Sequence, residues 1–201
     1  ASSVPVFFVR NEAVANKLMK RMQKVALGVS MSERFSDGYN VIGYIHNNKR
    51  KTVVLGAHYD HLGMGDENSL YKGPAAIHNG ADDNGSAVVG MLEAMRILSQ
   101  FEFEKSIKFI GFDLEEAGTG LVGSKRYVDE QLLPPEETVG VVNLEMIGYY
   151  TEEPNTQTVP GGFSTLFPDA YAALQADEFR GNFIINSSYQ NSLPLAQAFN
   201  Q

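Results

Sequence analysis

The residues able to do chemistry stand at the ends of apolar runs. In TVVLGAHYDHL, Thr52 to Leu62, the run Val53, Val54 and Leu55 reads as a strand covered on both faces, and His58, Tyr59, Asp60 and His61 follow at once. In open α/β sheets ligands bind in the crevice beyond the carboxyl ends of the strands, which is where His58 and Asp60 fall. The spacing His-x-Asp lets the Asp60 carboxylate accept the proton of the His58 nitrogen that does not face a metal, fixing tautomer and ring orientation. In NGADDNGSA, Asn79 to Ala87, Asp82 and Asp83 occupy a Gly-rich turn at a helix start, where capping alone would account for an acid. In FDLEEAG, Glu115 and Glu116 end another apolar run; successive side chains diverge, so one can ligate a metal while its neighbour faces the substrate as a general base. In VVNLEMIG, Glu145 follows a run that buries its surroundings, and a carboxylate there needs a partner or a cation. The sum is one His, three candidate carboxylate ligands and a spare Glu at one rim. That donor mix suits hydrolytic zinc, and with two ions a bridging carboxylate would keep them about 3.5 to 4 Å apart.

Other chemistries fit less well. Ser86 and Ser124 follow glycines, but neither lies in a Gly-x-Ser-x-Gly elbow. GTGLVG at 118–123 lacks the GK[ST] ending of a phosphate loop. With no Cys there is no thiolate nucleophile and no sulfur-ligated zinc, so His and carboxylates must hold any metal. Lys and Arg number 16 against 24 Asp and Glu, a net charge of -8 without a basic block, which argues against nucleic acid or an anionic membrane as partner. No apolar run approaches the roughly 20 residues that span a bilayer.

The elements that must position these residues read as follows. Val4 to Arg10 is a short strand, and Asn11 caps a helix with Val14, Leu18, Met22 and Val25 at helical spacing. Val25 to Met31 is a weaker strand, and Ser32 to Gly38 is turn-rich. Tyr39 to His46 is a clear strand, expected to pair antiparallel with the strand at Thr52 through the turn Asn47 to Lys49. Gly63 to Gly80 is a long loop expected to border the site. Asn84 to Gln100 is a helix with Val88, Met91, Leu92, Met95 and Leu98 on one face. Lys105 to Leu114 is a strand, Leu121 to Gln131 a helix and Thr138 to Ile147 a strand. Beyond Gly148 lie a long loop, a helix at 168–179, a short strand at Asn182 to Ile185 and a helix from Ser192 to Phe199. This order predicts an α/β fold with a mixed, mostly parallel sheet between helices, and 201 residues suit one domain.

AHYDHLG, HNGADDNGSA, FDLEEAG with LVGS, and VNLEMIG, in this order, resemble the zinc aminopeptidase family that includes aminopeptidase Y and secreted bacterial leucine aminopeptidases. Glutamate carboxypeptidases, glutaminyl cyclases and the catalytically dead transferrin receptor share the wider group, so a non-catalytic module, a carboxypeptidase and a cyclase are the rival readings. The resemblance implies two zinc ions per active site and a peptide with a free N-terminus as substrate. It implies that His58 and Glu145 bind one zinc, Asp60 orients His58, Asp83 bridges both ions, Glu116 binds the second and Glu115 is the general base. It also implies a cis peptide after Asp83. Three departures stand out: Glu145 replaces the usual Asp, the loop after Glu116 is two residues longer, and the family's fifth ligand, a downstream His, has no counterpart. His46, His58, His61 and His78 all precede Glu116, and His61 and His78 are expected to be loop residues near the rim. SVPVFFVRNEAVANKL resembles the exit from an inserted protease-associated domain. The expectation is therefore an interior fragment of a longer secreted or periplasmic enzyme, with residues 1–24 leaving that domain and 25–201 forming an exopeptidase core without its C-terminal part. Lacking the fifth ligand, the chain is expected to hold its second zinc weakly or not at all and to show little activity.

Overall fold

Two apolar strands that run parallel and end at the same level organise the fold. The structure, a computed structural model, describes residues 9–20, 28, 30, 35, 37–65, 68–118, 120–132 and 134–200. The expected strands at Val4 to Arg10 and Val25 to Met31 lie essentially outside the described residues. The chain divides into two units, Ala1–Ser36 and Asp37–Gln201. In the first, helix α1 (Glu12–Leu18) starts at Asn11, whose side chain accepts from the Val14 amide as the sequence predicts.

The second unit carries strands β1 (Val41–Ile45), β2 (Thr52–His58), β3 (Ser106–Phe112) and β4 (Thr138–Asn143) in the order β1-β3-β2-β4. β2 pairs parallel with β3 and β4, and β1 pairs antiparallel with β3. The expected β1–β2 hairpin is therefore wrong, because β3 lies between them. Ile107, Phe109 and Ile110 of β3 are all buried, and a strand covered on both faces must pair its backbone along both edges, which only an interior position allows. The segment joining β1 to β2 passes beneath the start of β3. There Asn47 Nδ2 donates to Lys105 O at 2.8 Å, and Ser106 Oγ donates to Lys49 O at 2.8 Å.

Side-chain alternation along the strands divides the core between two faces. Helix α2 (Ala87–Leu98) presses Ala87 and Met91, with Val88, Met95 and Leu98, on Ala57, Ile107 and Phe109. Leu92, expected on that apolar face, is exposed. Helix α3 (Val122–Asp129) covers the other face, where Tyr127 packs on Val54, Ile110 and Phe112. Gly123 in α3 sits so close to the end of β3 that an added Cβ would lie 2.3 Å from Asp113 O. After β4 come α4 (Phe163–Leu166), α5 (Pro168–Ala176) and α6 (Leu193–Phe199), the last two where the sequence places helices. The expected strand at Asn182 to Ile185 is irregular backbone, since no neighbouring strand is there to pair with it among the described residues. No helix among the described residues is long and apolar enough to cross a membrane.

Candidate metal centre

Strand register brings the acids together. His58 stands opposite Phe112 in the β2–β3 pair, and the Tyr59 amide donates to Phe112 O, so HYDHL and FDLEEAG leave the sheet at one level. Across the other edge Gly56 pairs with Asn143 and accepts from the Leu144 amide, which carries Glu145 to the level of His58. The turn before α2 supplies the fourth group. It begins at Gly80, in the left-handed region at φ 62°, and its helical path breaks at Asp83, followed by a cis peptide to Asn84 as the resemblance implies.

This turn is tied to the end of β4 by side-chain hydrogen bonds that reach four main-chain groups of residues 144–148. Asn84, 2% exposed, donates through Nδ2 to Leu144 O at 3.1 Å and accepts at Oδ1 from the Met146 amide at 3.1 Å. The same Nδ2 lies 3.2 Å from Glu145 Oε2. Ser86 Oγ accepts from the Ile147 amide at 3.0 Å, and Asp82 Oδ1 from the Gly148 amide at 2.8 Å. Asp82 and Ser86 thus clamp the turn to the end of β4. The sequence reading missed Asn84 as a positioning residue; a fully buried Asn in a Gly-rich turn is indistinguishable by pattern from a turn former.

All six candidate site residues meet. His58 is 3% exposed, and its Nε2 lies 3.1 Å from both Asp83 Oδ1 and Glu145 Oε1. Its Nδ1 is 3.1 Å from the main-chain oxygen of Asp60 and 3.6 Å from that residue's carboxylate. The imidazole is therefore oriented chiefly by the Asp60 carbonyl. The Asp60 carboxylate instead accepts from the Glu115 and Glu116 amides at 3.0 and 3.1 Å, fixing the loop that carries both glutamates. The loop at 63–80 does border the site, with Asn68 Nδ2 donating to Glu116 O at 2.9 Å.

His61 departs from expectation. Its Nδ1 approaches Glu116 Oε1 at 3.5 Å and Asp83 Oδ1 at 4.0 Å, which puts it inside the cluster and not at the rim. Three donor sets result, each with one atom per residue within 4.8 Å of the others: His58, Asp83 and Glu145; His58, Glu115 and Glu116; His61, Asp83 and Glu116.

The charges need a cation. The carbonyl of Asp60 can only accept, so it calls for a proton on His58 Nδ1, which leaves the Nε2 of a neutral ring as a lone pair facing two carboxylate oxygens. Protonating Nε2 satisfies Glu145 alone, since Asp83 Oδ1, although equally near, lies off the N–H direction and is buried without a hydrogen-bond donor. One ion at that point satisfies all three atoms, and two bonds of about 2 Å at the tetrahedral angle put ligand atoms about 3.3 Å apart. Without an ion the charged forms of the acids are disfavoured. Burial, then the neighbouring carboxylates, push Glu115, Glu116 and Glu145 above the usual carboxylate range. Burial is the largest single influence on His58 and works against its charged form, but the Glu145 and Glu115 carboxylates and the Asp60 carbonyl together outweigh it and the pKa of the ring rises.

The two glutamates face different ways. Glu115, with His58, Glu145, Leu121 and Tyr127, lines a cleft of about 570 Å³, whereas Glu116 turns to His61. A second cavity of about 470 Å³, lined by Leu55, Leu98, Phe103 and Ile107, is apolar and holds none of these acids.

The profile of peptidase family M28 matches residues 40–183. Leucine aminopeptidase 1 of Ajellomyces dermatitidis is 31% identical over 148 residues, covering 67% of this chain and 36% of that protein. The uncharacterized protein YfbL of Escherichia coli is 32% identical over 136 residues, covering 66% of this chain and 36% of that protein. The chain thus spans about a third of the length of these curated relatives. Among solved structures, Porphyromonas gingivalis glutaminyl cyclase superposes with a TM-score of 0.50 at 22% identity, over 73% of this chain and 54% of that one, a likeness of fold alone.

Proposed function

The chain belongs to peptidase family M28, and from that premise we propose that it carries the metal-binding face of a zinc-dependent aminopeptidase, which hydrolyses N-terminal residues from peptides. The observation that carries this reading is His58 Nε2 with a carboxylate oxygen of Asp83 and of Glu145 each at 3.1 Å, beside Glu115 in an open cleft. The likeness to leucine aminopeptidases supports a peptide with a free N-terminus as substrate. Residues 25–201 are read as the exopeptidase core and 1–24 as the exit from an inserted domain, in an enzyme that is secreted or periplasmic.

His58, Asp83 and Glu145 would hold zinc, with Asp83 and Glu116 directed to a second ion. Zinc there would polarise the scissile carbonyl and make water a stronger nucleophile at neutral pH. Glu115 accepts the proton of the attacking water and returns it to the departing amine as the carbon–nitrogen bond breaks; its raised pKa suits both steps. Asp60 keeps Glu115 in place through the amide it accepts from. The surplus of carboxylates at the rim favours the substrate's α-ammonium group.

The test is Glu115→Gln in the zinc-loaded protein, assayed on an N-terminal leucine anilide. Turnover should fall by about 10² to 10⁴-fold with zinc content unchanged, the magnitude of a lost general base. Loss of zinc together with activity would make Glu115 a ligand. Cyclisation of N-terminal glutamine without hydrolysis of the anilide would refute the aminopeptidase reading.

A further inference from the structure

We propose that His61 supplies the imidazole of a second metal position, formed by His61 Nδ1, Asp83 and Glu116 and sharing Asp83 with the first. This rests on the reading of His58, Asp83 and Glu145 as a zinc set.

Three observations carry it. His61 Nδ1 is buried and has no hydrogen-bond partner among the described residues, and neither has Asp83 Oδ1. A buried ring nitrogen costs free energy unless something satisfies it. Secondly, the spacing is that of ligands and not of a hydrogen bond. His61 Nδ1 lies 3.5 Å from Glu116 Oε1, close to the edge of about 3.3 Å expected for atoms sharing a tetrahedral ion, and 4.0 Å from Asp83 Oδ1, a wider gap that a small movement of either side chain closes. Thirdly, the ring is held from behind. Gly80 passes so close that an added Cβ would lie 3.0 Å from His61 Cβ and Cγ, and the His78 ring stands 6.3 Å away. His78 is itself fixed, with Nε2 2.7 Å from Ser69 Oγ and Nδ1 3.0 Å from Ala76 O, so its own nitrogens are engaged while that of His61 is not. The two sets use different ring nitrogens, Nε2 of His58 and Nδ1 of His61, and both face the same oxygen, Asp83 Oδ1.

The chain contains four His, which makes the test direct. Nitrogen NMR of the imidazoles, recorded as zinc is added to the 201-residue chain, should show two rings acquiring metal-bound shifts, one at Nε2 and one at Nδ1, while His46 and His78 stay unmetallated. Calorimetric titration should give two equivalents of zinc, and His61→Ala should take about half as much, with the shift of His58 retained. Should the Ala variant fail to fold, His61→Asn is the second variant, and the NMR titration of the native chain needs none. A native chain that takes two equivalents with His61 unmetallated, or with His78 metallated in its place, overturns the assignment of His61 and leaves the zinc reading standing. A single equivalent bound at His58 alone overturns the second position. No uptake at either ring overturns both readings together.

Discussion

Replacing Asn84 with Ala tests whether the metal site is assembled by the clasp between the turn at 81–86 and the end of β4. Three hydrogen bonds would go: Leu144 O, the Met146 amide and Glu145 Oε2 each lose their partner. The two main-chain groups are worth about 1 kcal/mol each. The bond to Glu145 is charge-assisted, but that side chain is 46% exposed, so solvent screening reduces it to about 1 kcal/mol as well. The sum is about 3 kcal/mol, a large share of the roughly 5 to 15 kcal/mol that holds a domain together. Asn84 is uncharged, so the substitution leaves the net charge of the site as it was. Urea denaturation of the metal-free chain, native against Asn84→Ala, measures the loss. The zinc affinity of the folded variant should fall by about 10 to 100-fold, as when a group that orients a ligand is removed, because Glu145 keeps its charge but not its anchor. A destabilisation below about 1 kcal/mol with unchanged zinc affinity would refute the clasp.

The pH dependence of the metal-free chain follows from four shifts in one direction. Glu115, Glu116 and Glu145 lie above the ordinary 4.5 and His58 above 6.5 in the folded state, so folding takes up protons. Their contribution to stability is fully present below those ordinary values and is lost as pH rises through the folded ones. The melting temperature of the metal-free chain should therefore decline as pH is raised from 4.5 through 6.5, and saturating zinc should abolish the decline; a rise over that window without zinc would contradict the electrostatic account. Gly123→Ala should prevent folding or cost several kcal/mol, since the new Cβ would meet Asp113 O at 2.3 Å and Asn40 Oδ1 at 2.4 Å, and a main-chain oxygen at a strand end cannot move aside. Circular dichroism and urea denaturation read the loss, and a variant within about 0.5 kcal/mol of the native chain would show that α3 can slide off the sheet.

What the sequence makes legible here is local. A strand buried on both faces must be apolar along its length, so its end is marked by the first polar residues, and His58 and Glu115 are found that way. Glu145 is found after an apolar run too, but β4 is an edge strand among the described residues, with Val139 and Val141 exposed, and the run does not bury its surroundings as the sequence suggests. Their convergence follows once the strands are parallel and in register, which the alternation of strands and helices implies. Pairing order is not local, because β1 and β2 are adjacent in the chain yet separated in the sheet, and nothing in Tyr39 to His46 records that β3 will need both edges paired. The residues that aim the acids are hidden for a related reason. Asn84 acts on groups about 60 residues away, Asp60 holds His58 by its carbonyl and the glutamate loop by its carboxylate, and His61 faces Glu116 across two strand ends. A carboxylate cluster assembled without a cation repels itself, and the hydrogen bonds of Asp60, Asp82 and Asn84 to main-chain groups are what oppose that repulsion. The chemistry is legible because it needs particular residue types, whereas the scaffold that aims it is less so, because main-chain donors and acceptors are the same at every position.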